Sequence, residues 1–314
     1  MRPLVSVVIP VHNKEDYVSR ALQSVLDQGY RQLEVLVIDD ASRDDSLARV
    51  ASFDDARIRV LRRECPGPGG YAARNLGIQQ ARGDWVAFLD ADDVWLPDHL
   101  DASMGIAVRY PEIALISAAR LLQRGGRQQL DAFAERFMSR GPQVLHLTDY
   151  LKQACQGRRA IGTNSILIKR AALDTHRIFP DGRTQRSGDL YAWVELLAKL
   201  KYLVWSPHVA SVHHGDVIGV SRNNIPSIAL FRDMVMDLRP LTSQEDEKWL
   251  KLYANQMIKY AWLEQKKKRE ALPVSALPGA FYWTHGRGYC LKWTMLSLVP
   301  FGVLEWLKQH TPAD

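Results

Sequence analysis

Cysteine is scarce in this chain of 314 residues: there are three, at Cys65, Cys155 and Cys290. They are scattered, odd in number and form no C-x-x-C pair, which excludes a disulfide framework or a zinc knuckle. A reducing compartment is the expected setting. Long apolar runs are missing as well. Val5 to Val11 is too short for a signal peptide and is interrupted by Pro10, so none is expected. The longest uncharged stretch near the C-terminus, Trp293 to Leu304, has 12 residues, whereas a bilayer span takes about 20. There is no internal repeat and no low-complexity tract.

What is present is an ordinary globular balance, 46% hydrophobic and 24% charged. A chain of this length buries a sizeable core without staples, as two modest domains or one large domain with an appendage. The net charge is +6 and the pI about 9.2. That suits a polyanion, a phosphate-bearing ligand or an anionic membrane surface. From Ser221 onward there are 13 Lys/Arg and 9 Asp/Glu, so 13 − 9 = +4 of the excess lies there. That placement favours a docking surface over a basic catalytic cleft, and nucleic acid is not an expected partner.

Over the first hundred residues, two periods alternate. The β-branched runs Leu4–Val11, Leu33–Asp40, Arg57–Arg63 and Asp84–Asp90 predict buried strands. Apolar residues at helical spacing predict helices over Glu15–Asp27, Asp44–Ala51 and from the glycine-rich Pro66–Gly70 through Ala81. Such alternation predicts a doubly wound α/β sheet, mostly parallel, with helices on both faces. Beyond Pro97 the expected elements are a helix over Asp98–Val108, capped by Asp98, and a strand over Glu112–Leu122. Arg124–Gln129 reads as a loop, residues 131–162 as short helices with a mobile segment, and Thr163–Leu173 as strand then helix. Ser187–Leu200 has the period of a helix, and Tyr202–His214 reads as two short strands around Pro207. From Ile225 the chain turns helical and aromatic.

Ligands of such sheets lie beyond the carboxyl ends of the strands. There the first strand delivers His12 and Asn13, the second Asp39 and Asp40, and the fourth Asp90, Asp92 and Asp93 in "FLDADD". Clustered carboxylates raise one another's pKa and are costly to bury unpaired. Asp90 and Asp92, flanking Ala91, offer hard oxygen ligands to Mg2+ or Mn2+. Gly69 and Gly70 permit close backbone approach, and the helix they open, which carries Arg74 and Asn75, attracts anions at its N-terminus. Arg74 either pairs with a diphosphate or forms a structural ion pair with Asp40 or Asp90. Helix capping is the plain alternative for Asp93, Asp40 and Asp189.

The stretches "VSVVIPVHNKEDYVSRALQSVLDQ", "LEVLVIDDASRDDS", "GGYAARNLGIQQARGDWVAFLDADDVWLPDHL" and "SGDLYAWVELLAK" resemble, in order and spacing, the family 2 glycosyltransferases of GT-A fold. The resemblance implies inverting sugar transfer from a nucleoside diphosphate donor, assisted by Mn2+ or Mg2+. It implies Asp92 as metal ligand and Asp90 facing the ribose or the donor sugar. Pro10, Val11, His12 and Asn13 stand in the nucleotide-binding stretch, with His12 where the family often has Tyr. Glu15 follows, either at the nucleotide or as a first-turn acid. Asp39 is the implied reader of a uracil or thymine base, Asp40 its neighbour on the ribose; Gly70, Arg74, Asn75 and Ala91 complete the donor set. Asp189, four residues before Trp193, is the implied catalytic base, with Gly188 replacing the family's usual Glu. His213 and His214 stand where some members place a metal-shell histidine.

The implied partners are a nucleotide-sugar donor and a carbohydrate or lipid-linked acceptor of bacterial polysaccharide or lipopolysaccharide assembly. Residues 1–105 are expected to form the donor half, 106–220 the acceptor half, with its pocket within Arg120–Ile161, and 221–314 a helical appendage. The appendage holds an amphipathic helix, Trp249–Arg269, and an aromatic stretch, Tyr289–Lys308. It either lies on a membrane interface or packs on the catalytic domain or a second copy. The expected location is cytoplasmic, including the inner membrane face. Two other readings are a sugar nucleotidyltransferase, though "VHNKEDY" lacks a Gly- and Lys-rich loop, and a non-catalytic sugar-nucleotide-binding scaffold.

Overall fold

A computed structural model describes residues 2–173, 178–217, 224–268, 272–273, 275–300 and 302–303. The expected boundary at 220, Arg269, and residues 301 and 304–308 of the aromatic stretch lie outside the described residues.

The strands are β1 (Val5–Val11), β2 (Leu33–Asp40), β3 (Ile58–Arg63), β4 (Trp85–Phe88), β5 (Val94–Trp95), β6 (Leu115–Arg124), β7 (Arg127–Leu130), β8 (Gln143–His146), β9 (Ile166–Lys169) and β10 (Tyr202–His214). One sheet runs β3-β2-β1-β4-β9-β6-β10-β5, with β7 on β6 and β8 on β10. The first four strands are mutually parallel. β9 joins β4 and β6 antiparallel, and β6 and β10 are parallel. Both halves of the chain therefore share one hydrogen-bonded sheet.

Side chains on a strand alternate between faces, and β1 shows it. Val5, Val7, Ile9 and Val11 enter one core with α1 (Val18–Leu26). Val8 enters the other with α3 (Tyr71–Gln80) and α7 (Gly188–Leu200). The remaining helices are α2 (Ser46–Ala51), α4 (His99–Arg109), α5 (Ala132–Phe137), α6 (Leu147–Ala154), α8 (Ile228–Leu238), α9 (Gln244–Lys267), α10 (Ala276–Ala280) and α11 (Arg287–Ser297). Leu230, Phe231, Leu250, Tyr253, Ile258 and Trp262, from α8 and α9, are buried in the same core as α3 and α7.

Several expectations are corrected. "RGGRQQ" is not a free loop: Gly125 and Gly126, both at positive φ (55° and 72°), turn β6 back onto β7. Two left-handed residues are what a tight hairpin turn requires. Residues 131–162 form α5, β8 and α6, with the Asp131 carboxylate accepting from the Phe133 and Ala134 N–H groups at the start of α5. After β9 there is a single 3-10 turn, Arg170–Ala172, in place of a helix. Pro207 does not split β10; the strand absorbs it as register shifts against β6 between Ser206 and Ser211. Asp98 sits before α4 at φ 63° and its side chain makes no capping hydrogen bond.

Candidate active site

A cavity of about 520 Å³ opens at the carboxyl ends of β1, β2 and β4. Pro10, Val11, His12 and Asp40 line it at one side, with Gly67–Gly70 and Tyr71. Arg74, Asp90, Ala91 and Asp92 form the floor, and Thr163, Arg186, Ser187, Asp189 and Asn224 the far wall. The structure thus brings ten of the sequence-derived residues to one cavity. It does not bring Asn13, Glu15, Asp39, Asn75, His213 or His214 to its lining.

Each of those six has another partner. The Asn13 carboxamide oxygen accepts from the Arg43 N–H at 2.9 Å, and Glu15 accepts from the Asp45 N–H at 2.8 Å. Asp39, 3% exposed, accepts from the Ser42 N–H at 3.1 Å and so holds the turn after β2. Asn75 pairs both ways with the Phe179 backbone at 3.0 Å. His213 and His214 turn to Asp93, not to Asp92. The fully buried Asp93 carboxylate meets His213 Nδ1 at 2.8 Å and accepts from the His214 N–H at 2.7 Å. Asn164 donates to it as well. Asp93 is therefore a structural anion joining β10 to the loop after β4.

Inside the cavity the charges are paired across elements. Asp40 accepts from Arg63 and from the Gly67 N–H. Arg74, buried, bridges Asp90 and the Gly69 carbonyl. Gly69 and Gly70 both have φ 67°, a conformation open to glycine, and it seats the loop against this arginine. His12 Nδ1 donates to the Asp40 carbonyl at 2.7 Å, leaving Nε2 to accept from Asn13. Asp92 contacts Lys14 Nζ at 2.5 Å. Burial, and then the neighbouring Asp93 and Asp90 carboxylates, push the Asp92 pKa upward against Lys14.

A cation beside Asp92 would relieve that crowding of carboxylates. Asp92 lines the cavity together with Asp40, Asp90 and Asp189, and no described group of three or more His, Cys, Asp or Glu is arranged as a metal site. Asp92, the residue the resemblance implies, could offer a hard cation an oxygen ligand, and phosphate oxygens of a bound diphosphate would supply more. That division is normal for Mg2+.

Asp189 stands in the first turn of α7, half-buried. Burial raises its pKa and Asp90 adds to the effect, while Arg74 and Arg159 oppose it. The site has no room for a side chain at 188. A Cβ there would stand 2.9 Å from Pro180 Cγ, Thr184 Cγ2 and Tyr71 Cζ. The Gly188 N–H donates to the Tyr71 hydroxyl at 2.8 Å, so Tyr71 fills the space the family's Glu would need. Sequence reasoning missed Lys14, Tyr71 and Arg186. Lys14 adjoins the "HN" stretch and Arg186 lies three residues before Asp189, which was the available signal; nothing local marked Tyr71.

Comparison with known proteins places these features in context. Residues 6–172 match the family model described as "Glycosyl transferase family 2". TuaG of Bacillus subtilis, whose name carries the words teichuronic acid biosynthesis glycosyltransferase, is 32% identical over 200 residues, 63% of this chain and 73% of TuaG. The Escherichia coli UDP-Glc:alpha-D-GlcNAc-diphosphoundecaprenol beta-1,3-glucosyltransferase WfgD is 38% identical over 34% of this chain and 42% of its own length. The crystal structure of S. aureus TarS 1-349 in complex with UDP-GlcNAc superposes with a TM-score of 0.70 at 17% identity, covering 88% of this chain and 79% of that one. The mannosyltransferase PcManGT from Pyrobaculum calidifontis, in complex with GDP-Man and Mn2+, superposes with a TM-score of 0.58 at 19% identity, over 96% and 87%.

Proposed function

The chain belongs to glycosyl transferase family 2 and has the GT-A fold, and on that footing we propose that it transfers a sugar, with inversion, from a nucleoside diphosphate donor to a carbohydrate or lipid-linked acceptor of surface polysaccharide synthesis. One observation carries the reading: Asp189 faces the same cavity as Asp90, Asp92 and the glycine-rich loop that opens a helix. Residues 1–105 hold the donor in this reading and 106–220 the acceptor, on the cytoplasmic side of a membrane.

The acceptor hydroxyl oxygen attacks the anomeric carbon while Asp189 takes its proton. The new C–O bond forms as the bond to the diphosphate breaks, and the diphosphate leaves with the electron pair. A carboxylate whose pKa is raised by burial is a better proton acceptor than a solvated one. Arg74 holds Asp90 toward the donor, and Pro10, Val11, His12, Asp40 and Gly70 frame the nucleoside and diphosphate. Asp92 would hold the divalent cation together with donor phosphates, and the bound cation supplies positive charge to the leaving group. A uracil or thymine base is favoured by Asp40, the carboxylate at the end of β2 that lines the cavity, because a carboxylate accepts from an imide N–H. WfgD, named for a UDP-Glc donor and a diphosphoundecaprenol acceptor, supports the same choice.

A thermal-shift screen of UDP-, dTDP- and GDP-sugars with Mn2+ tests the donor. Ligands of the folded state raise its apparent stability with occupancy. The UDP- or dTDP-sugar is expected to raise Tm, and the shift to shrink in Asp92→Asn. No shift with any sugar nucleotide would sink the proposal.

A further inference from the structure

The C-terminal helix α11 turns Leu291 and Met295 to solvent, 55% and 63% exposed, and Leu298, the helical residue that ends it, is 66% exposed. Steps of four and three set them on one stripe. Trp283 before the helix and Val303 after it are exposed too. On its other side Cys290 is buried, and Tyr289 and Trp293 pack against the core. Single exposed apolar residues are normal, but a row of them on one helix face is an interaction surface.

Charge indicates the occupant. From Ala271 to Leu304 there is no Asp or Glu, while Arg287 and Lys292 are exposed on α11 itself. Two copies meeting through this face in a two-fold contact would set those cations against each other. An anionic lipid surface accepts both the apolar stripe and the cations.

The helix is also tied to the cavity. In α9, Glu264 pairs with Arg186 at 2.7 Å, and Arg186 lines the cavity wall beside Asp189. Gln265 donates to the Pro226 carbonyl at 3.3 Å. Lys266 donates to the carbonyls of Ser297 and Val299, at 2.9 and 2.7 Å, at the end of α11. Glu264 and Lys266, two residues apart, thus join Arg186 at the cavity wall to the carboxyl end of the exposed helix. We infer that the apolar face of α11 seats the protein on an anionic lipid surface, bringing the far wall of the cavity to a lipid-linked acceptor. The second half of that statement rests on the function proposed above; the first does not.

The test is flotation of the full chain with vesicles of phosphatidylcholine, with and without phosphatidylglycerol. The chain is expected to float with the mixed vesicles and to be released by high salt. Leu291→Ser/Met295→Ser/Leu298→Ser, all at exposed positions, should keep its Tm and lose flotation. Removing one cation in Lys292→Gln should weaken binding about fivefold. A wild-type chain that stays soluble with anionic vesicles overturns the inference, and so does a triple variant that floats equally well. A wild-type dimer that the triple variant renders monomeric, without flotation by either, assigns the face to a second copy and also overturns it. Transfer to a water-soluble acceptor is read in parallel. Flotation without any transfer counts against the enzyme reading alone, and transfer without flotation against the surface alone.

Discussion

At the scale of single residues, the cavity and its surround are a set of carboxylates distinguished by what faces them. Asp40 and Asp90 are neutralised by Arg63 and Arg74, Asp92 meets Lys14, and Asp93 is sealed under two histidines. Asp189 has no ion pair among the described residues, and burial favours its protonated form. Asp189→Asn should therefore lower kcat by about 10²–10⁴-fold, the usual worth of a general base. Donor binding, followed by titration calorimetry, should stay near the wild-type value; a loss of donor binding equal to the loss of rate would deny Asp189 that role. Gly188→Glu, which restores the family's usual residue, should instead destabilise. The added side chain meets Pro180, Thr184 and Tyr71, and overpacking costs about 1–3 kcal/mol. A thermal melt of the variant checks it, and an unchanged Tm would refute the steric account.

At the scale of elements, one buried carboxylate shows how strands are held in register. Glu34 of β2 accepts from Ser6 Oγ of β1 at 2.6 Å, from the Arg82 N–H at 2.7 Å and from Arg59 of β3 at 2.9 Å. Burial opposes its ionisation, but the hydrogen bonds outweigh burial and hold its pKa below the ordinary 4.5. The folded state thus binds the proton less readily than the unfolded chain. This contribution is complete above the unfolded value and is lost as pH falls through the folded one. Glu34→Gln should lose about 1.5–3 kcal/mol near neutral pH, the worth of hydrogen bonds to a charged group. The difference from wild type should shrink below pH about 4. Denaturant melts at several pH values measure it; a difference independent of pH would point to packing instead.

Most of these elements were legible. The β2 boundaries, Leu33 to Asp40, match the run read from composition, and α7 begins one residue after the expected start. The misses are pairings. Nothing local says that Gln143–His146 is a strand, because its partner is Tyr202–Trp205, more than fifty residues away. The turning of His213 toward Asp93 follows from β5 pairing with β10 at Val94 and Val212.

At the scale of the whole molecule, the helices after residue 227 are structural as well as peripheral. Leu250, Tyr253, Ala254 and Ile258 of α9 are fully buried in the core shared with α3 and α7. A chain ending at Ser243 should expose that core and fail to give a cooperative melt, whereas the exposed-face variants of α11 should melt normally. A soluble, cooperatively melting truncation would contradict this. Glu264→Ala is milder: it frees Arg186 at the cavity wall and should raise the acceptor KM more than it lowers kcat. Steady-state kinetics with a soluble acceptor reads that split.

By itself the sequence determined the strand and helix order from β1 to β4, the acidic carboxyl ends of β2 and β4, and the glycine-opened helix before β4. Those are properties of short segments, set by period, turn chemistry and charge over a few residues. Tertiary structure alone decided which carboxylates face the cavity, that Asp39 and the two histidines turn elsewhere, and that Tyr71 occupies the space beside Gly188. It also decided that the C-terminal helices complete the core yet, among the described residues, leave one face of α11 exposed. Each of these depends on contacts between residues far apart in the chain, where packing and charge pairing choose among options that local chemistry leaves equal.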